Sequence, residues 1–528
     1  VRNKEQKMKK RAYISVFDKD GIVELAQNLI KNDFEIVSTG GTFKFLKENG
    51  IKVIEVSKVT GYPEMLHGKV KSLHPEIFGG ILADSTNSDE AEEIKINDVK
   101  KFDLVVVNLY PFEQVAMQTN DINKLVENID IGGVALLRAA AKNYKNVTAI
   151  CDKKDYGRAA SAPEETRQEL ALKAFDLTSN YDTIIGAKLR EVFEHKEIKH
   201  FNFEKIQDLR YGENPHQKAG LYKINDGGIA IPPYANKSRA ELPFRRQEVN
   251  YEILWGKELS YNNILDMTAA VNIVSEFYDV PAAAIVKHTM PCGVALGRDL
   301  NDAYQKAFDC DPISAFGGIV AFSQGVNEEI AKHLNSVFLE VVIAPDFDDN
   351  ALEILKSKKN LRIVKLNTKL EEYKLLQNEE IKITPFGVLI QEQDNKELDK
   401  DTFKVVTKTK PTAEQIEDAI FAWKVAKHAK SNAIVIVKDF KTLAIGQGQT
   451  SRICAIEWAL NYACDGTKDA VVASDGFLPA VDNIQAAVQG RIGLIIQPGG
   501  SIKDNEVIAE ADKYNLAMIT TGIRHFKH

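Results

Sequence analysis

The sequence predicts an α/β protein in two parts: a parallel-sheet domain at the N-terminus and a second α/β region beyond about residue 200. Three observations predict it. Apolar strand segments alternate with helix-spaced segments from residue 12 onward, and strands joined through helices run parallel with both sheet faces covered. A stretch dense in charge and low in aliphatics, "REVFEHKEIKHFNFEKIQD" (190–208), interrupts the alternation and sets a boundary near 200. The alternation returns in the last third, which is consistent with a duplicated α/β unit within 200–528.

The elements follow in order. "YISVF" (13–17) alternates as a strand, and "IVELAQNLI" (22–30) has helical spacing. "FEIVSTGGT" (34–42) is a strand entering a glycine turn, "FKFLKENG" (43–50) a helix with a glycine stop, and "KVIEV" (52–56) a strand. "FDLVVVNLYPF" (102–112) adds a buried strand and "GGVALLRAAAKNY" (132–144) a helix. Beyond the boundary, "AAAIVKH" (282–288) and "ISAFGGIVAF" (313–322) are strand material. Residues 345–411 are rich in Lys, Glu and Asp with short strands between, and read as a solvated insertion or a connection between lobes. "NAIVIV" (432–437), "DAVVASDGF" (469–477), "GLIIQPGGS" (493–501) and "LAMITTG" (516–522) resume the pattern.

Bulk properties narrow the function classes. A chain of 528 residues is too long for one core, and 44% hydrophobic with 27% charged residues is the balance of an ordinary soluble enzyme. A net charge of −7 excludes a global attraction to nucleic acid or anionic membrane, so any anion must be held by local clusters. No run approaches the ~20 apolar residues of a membrane span. The start, "VRNKEQKMKKR", lacks the apolar core of a signal peptide, and Met8 is a candidate native start. Five scattered cysteines without a CxxC pair fit a reducing cytoplasm.

Several loops carry chemistry. "STGGT" (38–42) leaves a strand and opens a helix, where hydroxyls and free amides suit a phosphate; a plain strand–helix turn capped by Thr42 has the same sequence. "HGKVKSLHP" (67–75) gathers Lys69, Lys71 and His74, as a solvated basic loop also would. "NLYPF" and "ENIDIGG" bring Tyr110 and Asp130, and Arg138 and Lys142 share a helix face four residues apart. Tyr110 alone is better explained by packing than by catalysis. "RYGENPHQ" (210–217) is a polar loop of mixed chemistry.

"AIVKHTMPCGV" (284–294) ends a buried strand in Lys287 and His288. A zinc-deaminase site would need His-x-Glu and Pro-Cys-x-x-Cys; here Met290 and Ala295 stand at the decisive places, which rejects zinc. A base beside a cation suits proton removal with stabilisation of developing negative charge. A strand sends successive side chains to opposite faces, so both serve one site only if the strand stops at 287 and Pro291–Gly293 bends the chain. A snorkelling Lys and a core His at a strand end is the plain alternative.

The motifs "STGGT", "KVKSLHP", "NLYPF", "IDIGG", "RAAAKN", "RYGENPHQ", "GKELSYNNILD" (256–266), "KHTMPCG", "SAFGGIVA", "GQTSR" (448–452), "SDGF", "IIQPGGS" and "TTGIRHFKH" occur in one order. From about Arg11 to His528 the chain strongly resembles the bifunctional purine-biosynthesis family that joins AICAR formyltransferase to IMP cyclohydrolase. AICAR is 5-aminoimidazole-4-carboxamide ribonucleotide. The resemblance implies a methylglyoxal-synthase-like cyclohydrolase domain over 8–200. Over 201–528 it implies a formyltransferase of two cytidine-deaminase-like lobes without the deaminase metal, connected somewhere within 345–411. It further implies a homodimer with formyltransferase sites at the interface, 10-formyltetrahydrofolate as co-substrate, and no tightly bound cofactor. Small molecules are the expected partners, with neither nucleic acid nor membrane.

Carried over by motif, the cyclohydrolase phosphate site takes Ser15, Lys19, Ser38, Thr39, Gly40, Gly41, Thr42 and Lys69, while Lys71, Ser72, Tyr110, Asp130 and Lys142 surround the closing ring. In the formyltransferase, His288 is the implied base and Lys287 the cation at the oxyanion. Arg210, Tyr211, His216, Asn432, Arg452 and Arg524 are placed around nucleotide and folate, and Asp475 near the pterin. Four departures stand out. Met290 replaces a usual Asn or Ser, and Lys69 replaces a usual Arg and so gives up bidentate phosphate recognition. Leu478 and Ala480 replace common aromatics and would loosen the folate wall, and 228–253 does not match the family pattern. Two other classes compete: a nucleotide-binding regulator whose formyltransferase half has decayed, for which Met290 speaks, and a phosphate-eliminating lyase suggested by the N-terminal fold alone.

Overall fold

The structure is a computed structural model that describes residues 9–63, 65–66, 70–84, 86–196, 198, 203–224, 251–373, 379–398 and 403–528. They divide into two compact units with the boundary between Glu204 and Lys205, and Lys205–Lys223 belong with the later residues. Among the described residues no helix is long and apolar enough to cross a membrane.

The first unit holds five parallel strands, β1 (Lys10–Val16), β2 (Phe34–Ser38), β3 (Ile54–Glu55), β4 (Leu104–Asn108) and β5 (Thr148–Ile150), in the order β3-β2-β1-β4-β5. Both faces are covered, as the near-continuous apolar strands require. Ala12, Ile14 and Val16 pack towards the helix Ile22–Lys31, whereas Tyr13 packs among residues of the helices Gly132–Lys142 and Glu164–Val192. The strand order reverses between β1 and β4, the place where open α/β sheets bind ligands beyond the carboxyl ends of their strands. Two expectations shift. "KVIEV" supplies a strand of only two residues, and the helix after β2 begins at Gly40, so Thr39 rather than Thr42 is its N-cap. The start of the charged stretch at 190 is the last turn of the 29-residue helix Glu164–Val192, and its end forms β6 (Phe203–Leu209), paired with β7 (Ala219–Ile224).

The second unit is built on one twelve-stranded mixed sheet. Its first half comprises β8 (Tyr251–Trp255), β9 (Ala282–Lys287), β10 (Met290–Leu296), β11 (Ile319–Phe322), β12 (Val341–Ala344) and β13 (Arg362–Leu366). A two-stranded ribbon follows, β14 (Glu379–Thr384) and β15 (Gly387–Glu392). The second half comprises β16 (Lys404–Val405), β17 (Ile434–Lys438), β18 (Lys441–Gly446), β19 (Val471–Ser474), β20 (Leu494–Gln497) and β21 (Ala517–Thr520). The strand order is β16-β21-β20-β19-β17-β18-β10-β9-β11-β12-β13-β8. Read outward from the β10–β18 seam, the two halves repeat one pattern: antiparallel, antiparallel, parallel, parallel, antiparallel. The duplicated unit legible in the sequence is therefore present.

The period of two divides the core. Ala282, Ala284 and Val286 join Val435 and Val437 in one cluster with the helices Tyr261–Ser275 and Ala413–His428. Ala283 and Ile285 face a cluster confined to the first half, and Ile434 and Ile436 one confined to the second. The solvated-insertion reading of 345–411 is corrected at its start. The helix Asp349–Lys356 buries Ala351 and Leu355, and β13 sits inside the sheet, so the connection between halves runs from 367 to 403. Of the unmatched stretch 228–253, residues 228–250 lie outside the described residues; Tyr251 begins β8, which closes one edge of the sheet.

Candidate functional site

In the first unit the expected residues gather where the strand order reverses. Ser15 lies near the end of β1, Lys19 just after it, Ser38 at the end of β2 and Tyr110 just past β4. The loops are tied together: Asn108 Oδ1 accepts from the Phe17 and Asp18 amides, and the Phe17 and Tyr110 rings meet edge-on at 5.5 Å. Ser38 and Thr42 hydroxyls donate to the Ile14 and Val16 carbonyls at 2.7 and 2.9 Å, which fixes the turn against β1. No side chain caps the helix that opens at Gly40, so its first amides are available to an anion. Gly40 has φ +52°, and a methyl group built on it would stand 2.9 Å from Lys71 Nζ; the ammonium thus lies over this turn.

Ser72 is buried and shares a short hydrogen bond with the Tyr13 hydroxyl. Burial raises the Tyr13 phenol above its ordinary range. Lys19 donates to the Val16 and Phe17 carbonyls, and desolvation lowers its pKa against the pull of Asp18. Asp130 accepts from the Gly133 amide at 2.7 Å and from the Tyr110 backbone, and its own amide donates to the Tyr181 hydroxyl at 2.9 Å. Burial nonetheless raises its pKa. Tyr110 is 47% exposed, so it is not a core residue. Lys142 is exposed at the far end of the helix that starts beside Asp130, about 15 Å of axial rise away. That helix does not bring the two together. Lys69 lies outside the described residues.

In the second unit β9 ends at Lys287, as expected, but the bend is elsewhere. His288 and Thr289, with φ +55° and +63°, form a two-residue turn of the I′ type, and Met290 pairs back with Lys287. Pro291–Gly293 lies within β10, with a register shift at Cys292. Positive φ costs a non-glycine residue about 1–2 kcal/mol, and Thr is branched as well. The Asp266 carboxylate holds this turn: Oδ1 accepts from the Thr289 amide at 2.6 Å and Oδ2 from the His288 amide at 3.2 Å. Burial raises the Asp266 pKa, opposed by those two amides. Lys287 is half-buried and donates to the Phe316 carbonyl at 2.8 Å, while His288 is exposed. Lys287 is thus not sunk in hydrocarbon, and the hairpin places both residues at one end of two central strands.

The remaining residues fall into two groups. Arg210 and Tyr211 are stacked at 4.6 Å and joined by an NH2–OH hydrogen bond of 2.8 Å, and His216 is exposed on the same loop. That loop reaches the Asp266 helix through Asn262, which donates to the Glu213 carbonyl at 3.3 Å. In the second half Asp475 is fully buried, with Arg452, Ser431 and the Ala433 amide all donating to it. Arg452 and Arg524 lie over the Phe526 ring at 5.9 and 4.4 Å, and Asn432 donates to the Gln449 carbonyl at 2.9 Å. Of these, Arg524 and the Phe526 ring are exposed. Leu478 does not line an open wall: it is fully buried in the core of the second half, and Ala480 is half-buried. Sequence reasoning missed Asp266, Asn108 and Tyr181. The motif "NNILD" contained the first, without any sign of which amides it would meet.

Two family models match the chain: an AICARFT/IMPCHase bienzyme model over residues 140–462 and an MGS-like domain over residues 21–135. Curated relatives match over nearly the whole length. Bifunctional purine biosynthesis protein PurH of Caldicellulosiruptor saccharolyticus is 48% identical over 99% of this chain and 100% of its own. The proteins of the same name from Acetivibrio thermocellus and Clostridium botulinum are 45% and 48% identical, with the same coverage. A family model over more than half of the chain and relatives matched end to end carry one conclusion: the chain belongs to the AICAR formyltransferase/IMP cyclohydrolase bienzyme family.

Proposed function

We propose that the two activities of the bienzyme fall to separate units, cyclisation to 8–200 and formyl transfer to 201–528. The chain forms formyl-AICAR and closes it to IMP, the last two steps of purine biosynthesis. The halt of β9 at Lys287 and the His288–Thr289 turn held by Asp266 are the observation that carries the formyltransferase assignment. The AICAR amine is a poor nucleophile because its lone pair is delocalised into the ring. His288 takes its proton as nitrogen bonds to the formyl carbon of 10-formyltetrahydrofolate, a role worth roughly 10²–10⁴-fold in rate. Lys287 stabilises the oxyanion and assists proton return to the departing folate nitrogen. Arg210, Tyr211, His216 and Asn432 hold the nucleotide and folate together with the exposed Arg524, and the Arg452–Asp475 pair supports that wall from within.

In the first unit the open amides after Thr39, with Ser15, Lys19 and Lys69, take the phosphate. Lys71, Ser72, Tyr110 and Asp130 serve the ring closure, in which the carboxamide nitrogen attacks the formyl carbon, an oxyanion forms and water leaves. Removal of one oxyanion donor costs about 3 kcal/mol of barrier. The family resemblance supports a homodimer with shared formyltransferase sites and a cytoplasmic enzyme. The β14–β15 ribbon adds to the case for a second chain, since it exposes Ile383, Phe386, Val388 and Leu389 together.

Separate assays of folate release and IMP formation test the division. Lys287→Ala and His288→Ala should each abolish folate turnover and leave cyclisation of supplied formyl-AICAR intact; Lys71→Ala should do the reverse. Loss of cyclisation in either folded C-terminal variant would refute the assignment.

A further inference from the structure

The large sheet contains the His288–Thr289 turn twice over. In the second half, β17 and β18 are joined by Asp439 and Phe440, with φ +53° and +55°. Each turn is gripped by a carboxylate from the sixth residue of the preceding helix, Asp266 of Tyr261–Ser275 and Asp418 of Ala413–His428. The oxygens correspond as well: Asp418 Oδ1 accepts from the Phe440 amide at 2.7 Å and Oδ2 from the Asp439 amide at 2.9 Å. Each helix opens with a capping box, Ser260 with Asn263 and Thr412 with Gln415, which fixes the carboxylate's height above the turn.

The two turns differ in their other supports. The Phe440 ring lies 6.2 Å from Phe421, and its carbonyl accepts from the Leu296 amide at 3.0 Å. All four turn residues are exposed, but Thr289, being branched, resists positive φ more than most residues. The second turn is therefore held by a ring contact and a backbone hydrogen bond as well as its carboxylate, whereas the first leans on its carboxylate.

We propose that Asp266 is a positioning residue for formyl transfer: its carboxylate keeps the His288–Thr289 turn in the positive-φ form and thereby sets the imidazole beside Lys287. The inference rests on the reading of His288 as the base. Asp266→Asn preserves size but turns an amide towards one of the two N–H groups, so one hydrogen bond is exchanged for a clash of donors.

Four variants of the full chain test it through kcat and folate KM of formyl transfer, cyclisation of supplied formyl-AICAR, and thermal unfolding. Asp266→Asn should lower formyl-transfer kcat by roughly tenfold to a hundredfold, with KM and cyclisation unchanged, as small misplacements of reacting groups do. Asp418→Asn, which removes the same clamp from the second turn, should leave formyl-transfer kcat within about twofold. Asp266→Asn combined with Thr289→Gly should recover most of the loss, because glycine takes positive φ without a carboxylate to hold it. The inference is overturned if Asp266→Asn keeps wild-type kcat, if Asp418→Asn loses as much, or if the folded double variant is no faster than Asp266→Asn. If Asp266→Asn does not fold, the double variant decides alone: turnover supports the inference, and a folded protein without turnover sinks it. His288→Ala with normal turnover would remove the underlying reading instead.

Discussion

Gly40 shows how a single residue shapes the N-terminal site. Its positive φ opens the helix after β2, and Lys71 Nζ occupies the space a side chain would take. Gly40→Ala should therefore slow cyclisation by displacing the ammonium, with a backbone cost of about 1 kcal/mol; formyl transfer by the same protein is the internal control. Asp475 makes the opposite point. The sequence placed it beside the pterin, but it is fully buried against Arg452. Asp475→Asn should leave a buried guanidinium without its counter-charge and destabilise the second unit by about 3–5 kcal/mol in urea unfolding. The motif marked Asp475 but gave no sign of its partner Arg452, because the two lie 23 positions apart. The turn at 288–289 was misplaced for a related reason. Pro-Cys-Gly outranks His-Thr as turn-forming sequence, and the residue that overrides the preference, Asp266, lies 22 positions upstream.

Among the elements, the helix Ile22–Lys31 was legible because one face alone is buried, so that period and composition agree. The strand Leu104–Asn108 was legible for the other reason, an unbroken apolar run buried on both faces. The helix Asp349–Lys356 was not recognised because its charged outer face dominates so short a segment, although Ala351 and Leu355 are buried. The helix Ala413–His428 carries a pH-dependent load at its end. His428 Nε2 and Lys427 Nζ each lie 3.1 Å from Glu276 Oε1, and burial pushes the imidazole down to about 4 despite that carboxylate. Between about 4 and 6.5 the unfolded chain binds a proton at this histidine that the native state refuses, so stability rises with pH across that window and falls as pH drops through it. The contribution is about 3 kcal/mol at most. His428→Gln, which keeps a donor to Glu276, should show a flatter dependence of its urea midpoint from pH 4 to 6.5 than the parent.

At the scale of the whole molecule, the boundary near 200 was readable from a change in composition, and the structural division falls between Glu204 and Lys205. A chain ending at Glu204 should still close formyl-AICAR to IMP, measured by IMP absorbance, and should release no folate product. The repeat within the second unit was visible only as an echo, because what the halves share is strand order and pairing sense rather than residues: Lys438-Asp439-Phe440-Lys441 occupies the place of Lys287-His288-Thr289-Met290. The duplicated scaffold kept its clamps and varied what they hold.

The halves meet in the ladder at a single pair, Ala295 with Lys441, yet one hydrophobic cluster runs unbroken beneath both, with Phe277 and Phe421 in contact at 5.2 Å. A seam so thinly stitched on one side and so thoroughly fused on the other cannot part by halves. In a calorimeter the second unit should absorb heat in one endotherm, and limited protease should find no cut that releases either six-stranded half as a durable fragment.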